Sequence, residues 1–317
     1  MRHLFLTLLL IISAGSVAAA PFAYSVNSNG VDRDTSDRLH RIDLATGEVT
    51  ALQKVRLNEP ALLSFSDIEG LAFGPDGTLY GVDDRDETLL TISTTTGIGA
   101  SVTGNPLTLQ LGTVSTDFGL TFTCEGLLFM SSDINKTLYQ VNDETGLATG
   151  VTNSPGLGAS ITALAAWGDK VYGLSHGRFV DSALTPSLYA IDVKTGAATL
   201  IGALGNAVKL YRNGGLAFDE EGQLWAITDR FNLTNNVDFP SQVLKIDPAT
   251  GIAEAISEVA VIGFESLAIT SPMGCTVTAN PNENNAVPIP VLNPFSTLLM
   301  ALVLLLAGGF TIRFKAG

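Results

Sequence analysis

Apolar and polar positions recur along this chain in blocks of one pattern. Each block opens with a short run of small apolar residues: Gly70-Leu71-Ala72-Phe73, Gly119-Leu120-Thr121-Phe122, Ala163-Leu164-Ala165-Ala166, Gly215-Leu216-Ala217-Phe218 and Ser266-Leu267-Ala268-Ile269. In most copies a turn follows, such as Gly74-Pro75-Asp76-Gly77 or Glu220-Glu221-Gly222, whose last glycine can take the positive φ of a hairpin turn. Second runs read Leu79-Tyr80-Gly81-Val82, Leu128-Phe129-Met130, Val171-Tyr172-Gly173-Leu174 and Leu224-Trp225-Ala226-Ile227. Third runs alternate apolar with polar, as in Leu39-His40-Arg41-Ile42-Asp43, Leu138-Tyr139-Gln140-Val141-Asn142, Leu188-Tyr189-Ala190-Ile191-Asp192 and Val243-Leu244-Lys245-Ile246-Asp247. Period-two alternation in runs this short predicts β-strands.

The blocks are evenly spaced. Thr-Gly dipeptides at Thr46-Gly47, Thr96-Gly97, Thr145-Gly146, Thr195-Gly196 and Thr250-Gly251 recur at intervals of 50, 49, 50 and 55 residues. A period of this size with β character predicts an all-β propeller, because a single small sheet buries both faces only when neighbours stack on it. Small residues suit the innermost strands, where the sheets converge on the axis. At each Thr-Gly, the preceding Asp43, Asn142, Asp192 or Asp247 is placed to accept turn amides, a capping role rather than a ligand role. The first Thr-Gly hairpin has no innermost strand before it, and the last innermost strand, Ser266 to Ile269, has no hairpin after it. Residues 22–52 and that last strand therefore complete one shared blade. Five blades with this closure of the two chain ends are predicted, which removes exposed sheet edges.

The ends of the chain are of another kind. Arg2 and His3, the apolar stretch Leu4 to Ile12 and the small Ala18-Ala19-Ala20 predict a signal peptide over residues 1–20, hence export. Residues 21–274 form the propeller. Residues 275–290, rich in Asn and Pro, predict an extended linker with too little apolar surface to offset its ordering entropy. Residues 291–317 hold an apolar run ending at Ile312, closed by Arg313 and Lys315. That predicts one transmembrane helix with a cytoplasmic C-terminus.

Two resemblances follow from these motifs. The units Gly-Leu-Ala-Phe, Asp-Gly-x-Leu-Tyr and Leu-Tyr-x-Ile-Asp-x-x-Thr-Gly resemble loosely defined families of secreted bacterial propellers, which implies a scaffold and no particular chemistry. The tail from Val287-Pro288-Ile289-Pro290-Val291-Leu292 through the apolar helix to the basic residues resembles C-terminal sorting tails processed by exosortase-type membrane enzymes of Gram-negative bacteria. It is closest to the class with an Ile-Pro-Thr-Leu signature, with Val291 at the Thr position. That resemblance implies an exosortase-type processing enzyme as partner and transfer of the propeller to the cell surface or its polymer matrix.

A formal net charge of -14 excludes a phosphate-reading surface, so no nucleic acid is expected as partner. The two cysteines, Cys124 and Cys275, meet an oxidising compartment after export, which favours a disulfide between them over two free thiols. Gly173-Leu174-Ser175-His176-Gly177 matches a nucleophile-elbow pattern, but a strand leads on to a Pro-containing loop and another strand, not to a helix, so no nucleophile is assigned. Beyond the signal peptide only His40 and His176 occur, too few for a multi-histidine zinc centre. No phosphate-binding Gly-Lys loop is present. Asn135-Lys136-Thr137 and Asn232-Leu233-Thr234 fit the glycosylation pattern, which matters only in a host with that machinery.

Candidate chemistry gathers at one end of the axis. Glu69 and Glu265 occupy the same repeat position, immediately before Gly70 and Ser266, and their strands belong to neighbouring blades. Second strands end on the same face and add Asp83, Asp84, Asp133 and Asp229, giving an acidic mouth. Three readings stay open: structural or solvated acids; a ligand or cation site, with calcium at Glu69, Glu265 and Asp83; and a Glu69–Glu265 acid–base pair. Binding ranks above turnover, because no local signature of a catalytic set is present. The expected function is an exported, membrane-anchored or surface-sorted propeller that binds a glycan, matrix polymer or protein through its acidic loop face, without catalysis. The alternative is a hydrolase of sugar or phosphate esters, calcium-dependent or not.

Overall fold

The computed structural model describes residues 20–28, 36–56, 65–111, 117–151, 156–177, 185–232, 237–270 and 274–275. The predicted signal peptide up to residue 19, the linker from 276 onward and the apolar tail lie outside the described residues, as do Leu233 and Thr234 of the second glycosylation pattern.

Nineteen strands in five antiparallel sheets make up the described residues, with no helix among them. The first sheet joins β1 (Phe22–Val26), β2 (Arg38–Asp43) and β3 (Val49–Lys54). Four further blades follow in order. Blade 1 is β4 (Ile68–Phe73), β5 (Leu79–Asp83), β6 (Thr88–Ile92) and β7 (Gly99–Ser101). Blade 2 is β8 (Phe118–Phe122), β9 (Leu128–Ser132), β10 (Thr137–Val141) and β11 (Ala148–Gly150). Blade 3 is β12 (Ile161–Trp167), β13 (Lys170–Ser175), β14 (Ser187–Asp192) and β15 (Ala197–Ala203). Blade 4 is β16 (Gly214–Phe218), β17 (Leu224–Asn232), β18 (Val237–Ile246) and β19 (Ala253–Val259).

The first sheet acquires its innermost strand from the far end of the chain. Tyr24 and Ala268 exchange backbone hydrogen bonds at 2.8 and 2.9 Å. The Val26 amide donates to Ser266 Oγ at 3.1 Å, and Ser25 Oγ donates to the Ser266 carbonyl. This closing blade turns four complete sheets into a ring. Packing gives independent proof, because the buried apolar residues fall into five clusters and each bridges two adjacent blades. One cluster joins Trp225, Ile227 and Val243 of blade 4 to Ile42, Ala23 and Leu267 of the closing blade. Another joins Val26, Leu39 and Ala268 to Ile68, Leu71 and Leu90 of blade 1. The structure is an all-β five-bladed propeller closed by its two ends.

Burial falls from the axis outward, as the strand sequences require. β8 and β16 are buried at every position, whereas the outermost β15 has no buried residue. Close approach of the inner strands needs residues without bulk: a Cβ on Gly215 would lie 2.1 Å from the Leu267 nitrogen.

The Thr-Gly turns carry a second role. Asp43 Oδ1 accepts the Ala45 and Thr46 amides at 2.9 and 3.2 Å, while Gly47 adopts φ 75. Asp192 and Asp247 do the same work, and turn donors hold both carboxyls below the ordinary value. Each such glycine also presses on the neighbouring blade. A Cβ on Gly47 would sit 2.3 Å from the Glu258 carbonyl of β19, and one on Gly97 2.6 Å from the Gln53 carbonyl of β3. The repeated dipeptide is thus a brace between blades as well as a hairpin turn.

Cys124 and Cys275 form a disulfide across 151 residues. By the chain-entropy estimate a loop this long is stabilised by about 5 kcal/mol. Gly274 lies flat on Trp167, at the end of β12, so the bond pins the post-ring segment to blades 2 and 3.

Candidate functional site

The acidic end of the axis is built by repeat geometry. One residue past β5, β9 and β13, and within β17 of the extended blade 4 hairpin, stand Asp84, Asp133, His176 and Asp229, at the same distance from the cross-strand pairs Leu71–Gly81, Leu120–Met130, Leu164–Gly173 and Leu216–Ala226. Their backbone amides donate to the carbonyls of Asp67, Asp117, Ser160 and Asn213 respectively, at 2.8–3.2 Å. Those acceptors lie just before the innermost strands, so two repeat positions face one another around the mouth.

Glu69 and Glu265 do converge, and a third acid joins them. Carboxylate oxygens of Asp67, Glu69 and Glu265 all lie within 4.8 Å of one another. Asp67 is held at φ 68, a region that residues other than glycine seldom occupy. Its amide donates to Asp37 Oδ1 of the closing blade at 3.0 Å, which fixes that conformation. The two glutamates are buried, with 3% and 2% of their surface exposed. Glu69 Oε2 accepts the Phe118 amide at 2.7 Å, and Glu265 Oε1 accepts Asn213 Nδ2 at 3.0 Å.

Like charges in so small a space cannot all remain ionised without a counter-charge. Burial, followed by the charge of Asp117 and of Glu265, raises Glu69 well above the ordinary glutamate value. Burial, followed by Asp229, does the same to Glu265. Interaction with Asp117 adds to the rise at Glu69, while interaction with Glu265 and with Arg212 opposes the rise at Asp229. Burial also pushes Asp84 up to about 8, helped by Asp67, and raises Asp67 with help from Asp117. Asp133 and Asp229 rise to about 6, again mainly through burial.

The cationic balance comes from blade 4. Arg212 Nη2 lies 2.8 Å from Asp229 Oδ2 and 3.3 Å from Asp238 Oδ1, and its guanidinium stacks 4.3 Å from the Phe231 ring centre. Asp117, Asp133 and His176 form a second group that could hold a metal. His176 Nδ1 bonds the Gly177 carbonyl at 3.1 Å, and its Nε2 lies 4.0 Å from Asp117 Oδ2.

Not every expected residue faces the mouth in the same way. Both oxygens of Asp83 serve the backbone, accepting the Ser66 amide ahead of β4 at 2.9 Å and the Asp86 amide of its own turn at 2.7 Å, and burial raises it to about 7. Asp67 rather than Asp83 completes the group with Glu69 and Glu265. Asp133 Oδ1 accepts the Asp117 and Ile134 amides, so Asp133 shapes the rim. Asp67, Asp117, Arg212 and Asn213 carry no sequence motif, whereas His176 could have been found from its repeat position alone. Ser175 is a buried strand residue whose Oγ accepts the Ser187 amide at 2.9 Å. Gly177 admits the backbone of Tyr211, whose carbonyl oxygen would stand 2.1 Å from a Cβ there. The Gly-x-Ser-x-Gly match therefore has a packing origin.

Below the acids the axis narrows to a cavity of ≈ 10 Å³ between Glu69, Glu265, Phe118, Thr162 and Leu216. Beyond it lies an apolar throat of ≈ 50 Å³, ringed at its outer end by Phe73, Phe122, Phe218 and Ile269. The two ends of the ring are chemically opposite.

No protein-family model and no curated protein matches the sequence. Solved structures of similar fold include a catalytically inactive virginiamycin B lyase from Staphylococcus aureus with quinupristin, at 12% identity over 76% of this chain and 71% of that chain, TM-score 0.41. Selenomethionine-substituted virginiamycin B lyase from the same organism gives 13% identity over 75% and 70%, TM-score 0.41. Likeness at this level carries none of the lyase's chemistry to this chain.

Proposed function

We propose that this chain is an exported propeller, held at the membrane by its apolar tail or sorted to the surface by an exosortase-type enzyme, that binds a hydroxyl-rich glycan through its acidic mouth without cleaving it. The observation that carries the reading is the convergence of repeat-equivalent Asp84, Asp133, His176 and Asp229 with Asp67 and Asp117 at one end of the axis. Sugar hydroxyls donate hydrogen bonds, and carboxylates accept them. An anionic matrix polymer would be repelled by the same groups.

Turnover by the Glu69–Glu265 pair is the weaker reading. Both carboxyls are buried over a cavity of only ≈ 10 Å³, while sites that enclose small ligands measure about 300–1,000 Å³. A sugar ring does not fit between them.

Binding of the full chain to an array of neutral and acidic glycans tests the proposal, with Asp117→Asn and Asp133→Asn as rim variants. Retention of neutral glycans that weakens in the rim variants supports it. Preference for acidic glycans, binding only to surface proteins, or release of cleaved sugar by the wild type but not by Glu69→Gln would each overturn it.

A further inference from the structure

The mouth holds more oxygen than its own protein donors satisfy. Asp84 Oδ1 is buried and meets no hydrogen-bond donor, although the residue has only 6% of its surface exposed. Its charge acts on Glu69, and those of Asp67 and Asp117 act on it; its backbone amide donates to the Asp67 carbonyl at 3.1 Å, beside the group. Asn213 gives its Nδ2 to Glu265 Oε1, and the carbonyl end of that amide, Oδ1, is likewise buried without a donor. Orphaned buried acceptors are rare, and each needs a positive partner from somewhere.

We propose that a hard divalent cation of the calcium class binds at the acidic mouth, ligated by Asp67, Glu69 and Glu265, with Asp84 Oδ1 and Asn213 Oδ1 beside them. This deepens the binding reading given above and rests on the same mouth. The spacing fits: oxygens on one calcium ion at about 2.3–2.6 Å lie at most about 5 Å apart, and the three carboxylates fall within 4.8 Å. The donor set is all oxygen, carboxylate plus amide carbonyl, which suits calcium over zinc or copper. The neighbouring Asp117–Asp133–His176 group contains a nitrogen donor and is the poorer match to a hard ion. The strained Asp67 backbone also has a reason here, since φ 68 aims a third carboxylate at the axis between two blades. An ion held by Glu265 and by Asp67 and Glu69 would tie the closing blade to blade 1. For a glycan, it would present open coordination positions to vicinal hydroxyls.

The test is calorimetric titration of Ca²⁺ alone into the full chain after chelation, with no glycan present. One binding event is expected, weakened at least about tenfold in Glu69→Gln and in Glu265→Gln because charge count sets calcium affinity, and unchanged in the turn variant Asp192→Asn. Magnesium should bind more weakly. If a variant misfolds, anomalous scattering from wild-type crystals grown with calcium decides, through a peak bonded to Glu69 and Glu265. No heat at about 10 mM Ca²⁺, above the weakest extracellular calcium modules, overturns the site. So does undiminished binding in both variants, a peak elsewhere, or a preference for zinc at His176. Calcium binding without any glycan binding keeps the cation and removes the glycan reading; glycan binding indifferent to calcium and chelator, with no calcium heat, does the reverse.

Discussion

The backbone amide of Phe118 in blade 2 donates to Glu69 Oε2 of blade 1 at 2.7 Å. One acid therefore splices two blades while belonging to the ring's most crowded group of carboxyls. These roles separate on substitution. Glutamine at 69 keeps an acceptor for Phe118 and a hydrogen-bonding group beside Asp117, but cannot ionise to bind a cation. Glu69→Gln should melt no lower than wild type at pH 8 in chelator, and should lose the rise in melting temperature that calcium gives. Glu69→Ala should be destabilised by about 1–3 kcal/mol, the cost of a buried amide left without an acceptor. Scanning calorimetry with and without calcium separates the outcomes; a Glu69→Gln protein that still gains stability from calcium would remove Glu69 from the ligand set.

The raised carboxyls predict a pH dependence with a definite sign. Asp84 and Asp83, at about 8 and about 7 in the folded protein against 3.8 ordinarily, keep protons that the unfolded chain has already released. More protons on the folded state means that stability falls as pH rises through this window. Buried His40, lowered to about 4 chiefly by desolvation, works in the opposite direction, but only below the ordinary histidine value of 6.5. Between pH 6.5 and 8.5 the carboxyls act alone among these groups. In chelator the melting temperature should drop across that range by several degrees, one kcal/mol being worth roughly 2–4 °C in a domain of this size. Calcium should flatten the slope. A flat profile in chelator would mean that the mouth carboxyls hold no protons.

Arg212 is the main positive charge offered to the mouth by blade 4. Its partner Asp229 is wholly buried, so removing the guanidinium strands a carboxylate. Arg212→Ala should cost about 3–5 kcal/mol, as for other broken buried pairs. The double variant Arg212→Ala with Asp229→Asn should recover part of that loss, because the amide needs no counter-ion. Urea unfolding in chelator measures both, and equal losses in the single and double variants would argue that stacking on Phe231, not charge, is what Arg212 supplies.

How much of this was legible in the sequence depended on whether a residue repeats. The blades, the shared closing blade and the meeting of Glu69 with Glu265 follow from position within the unit. Asp83 and Asp84 both stand at the end of a second strand, but by register Asp84 is the equivalent of Asp133, His176 and Asp229. Asp67 and Asp117 have no common repeat position, preceding their innermost glycines by three and two residues. A bulge between Ile68 and Leu71 in β4 absorbs that difference in register. Arg212 meets Asp229 across its own blade 4 hairpin, 17 residues away, whereas Asn213 reaches Glu265 only through the ring, 52 residues away, which no local pattern records.

The brace formed by the Thr-Gly turns can be isolated with two glycines. Gly47 and Gly77 both hold left-handed backbone, at φ 75 and 82, so alanine at either pays the same conformational penalty of roughly 1–2 kcal/mol. They differ in surroundings. A Cβ at 77 meets nothing within 4 Å, whereas one at 47 would stand 2.3 Å from the Glu258 carbonyl, backbone that cannot rotate away. Gly47→Ala must therefore push β2 and β3 of the closing blade off β19 of blade 4, a strain of about 1–3 kcal/mol beyond the turn itself. Guanidinium midpoints should fall further for Gly47→Ala than for Gly77→Ala by that margin. Amide exchange should rise at the seam, notably at Tyr24 and Ala268, whose mutual hydrogen bonds close the ring. Equal losses in the two variants, with exchange at the seam unaltered, would mean that the turns shape hairpins without holding one blade to the next.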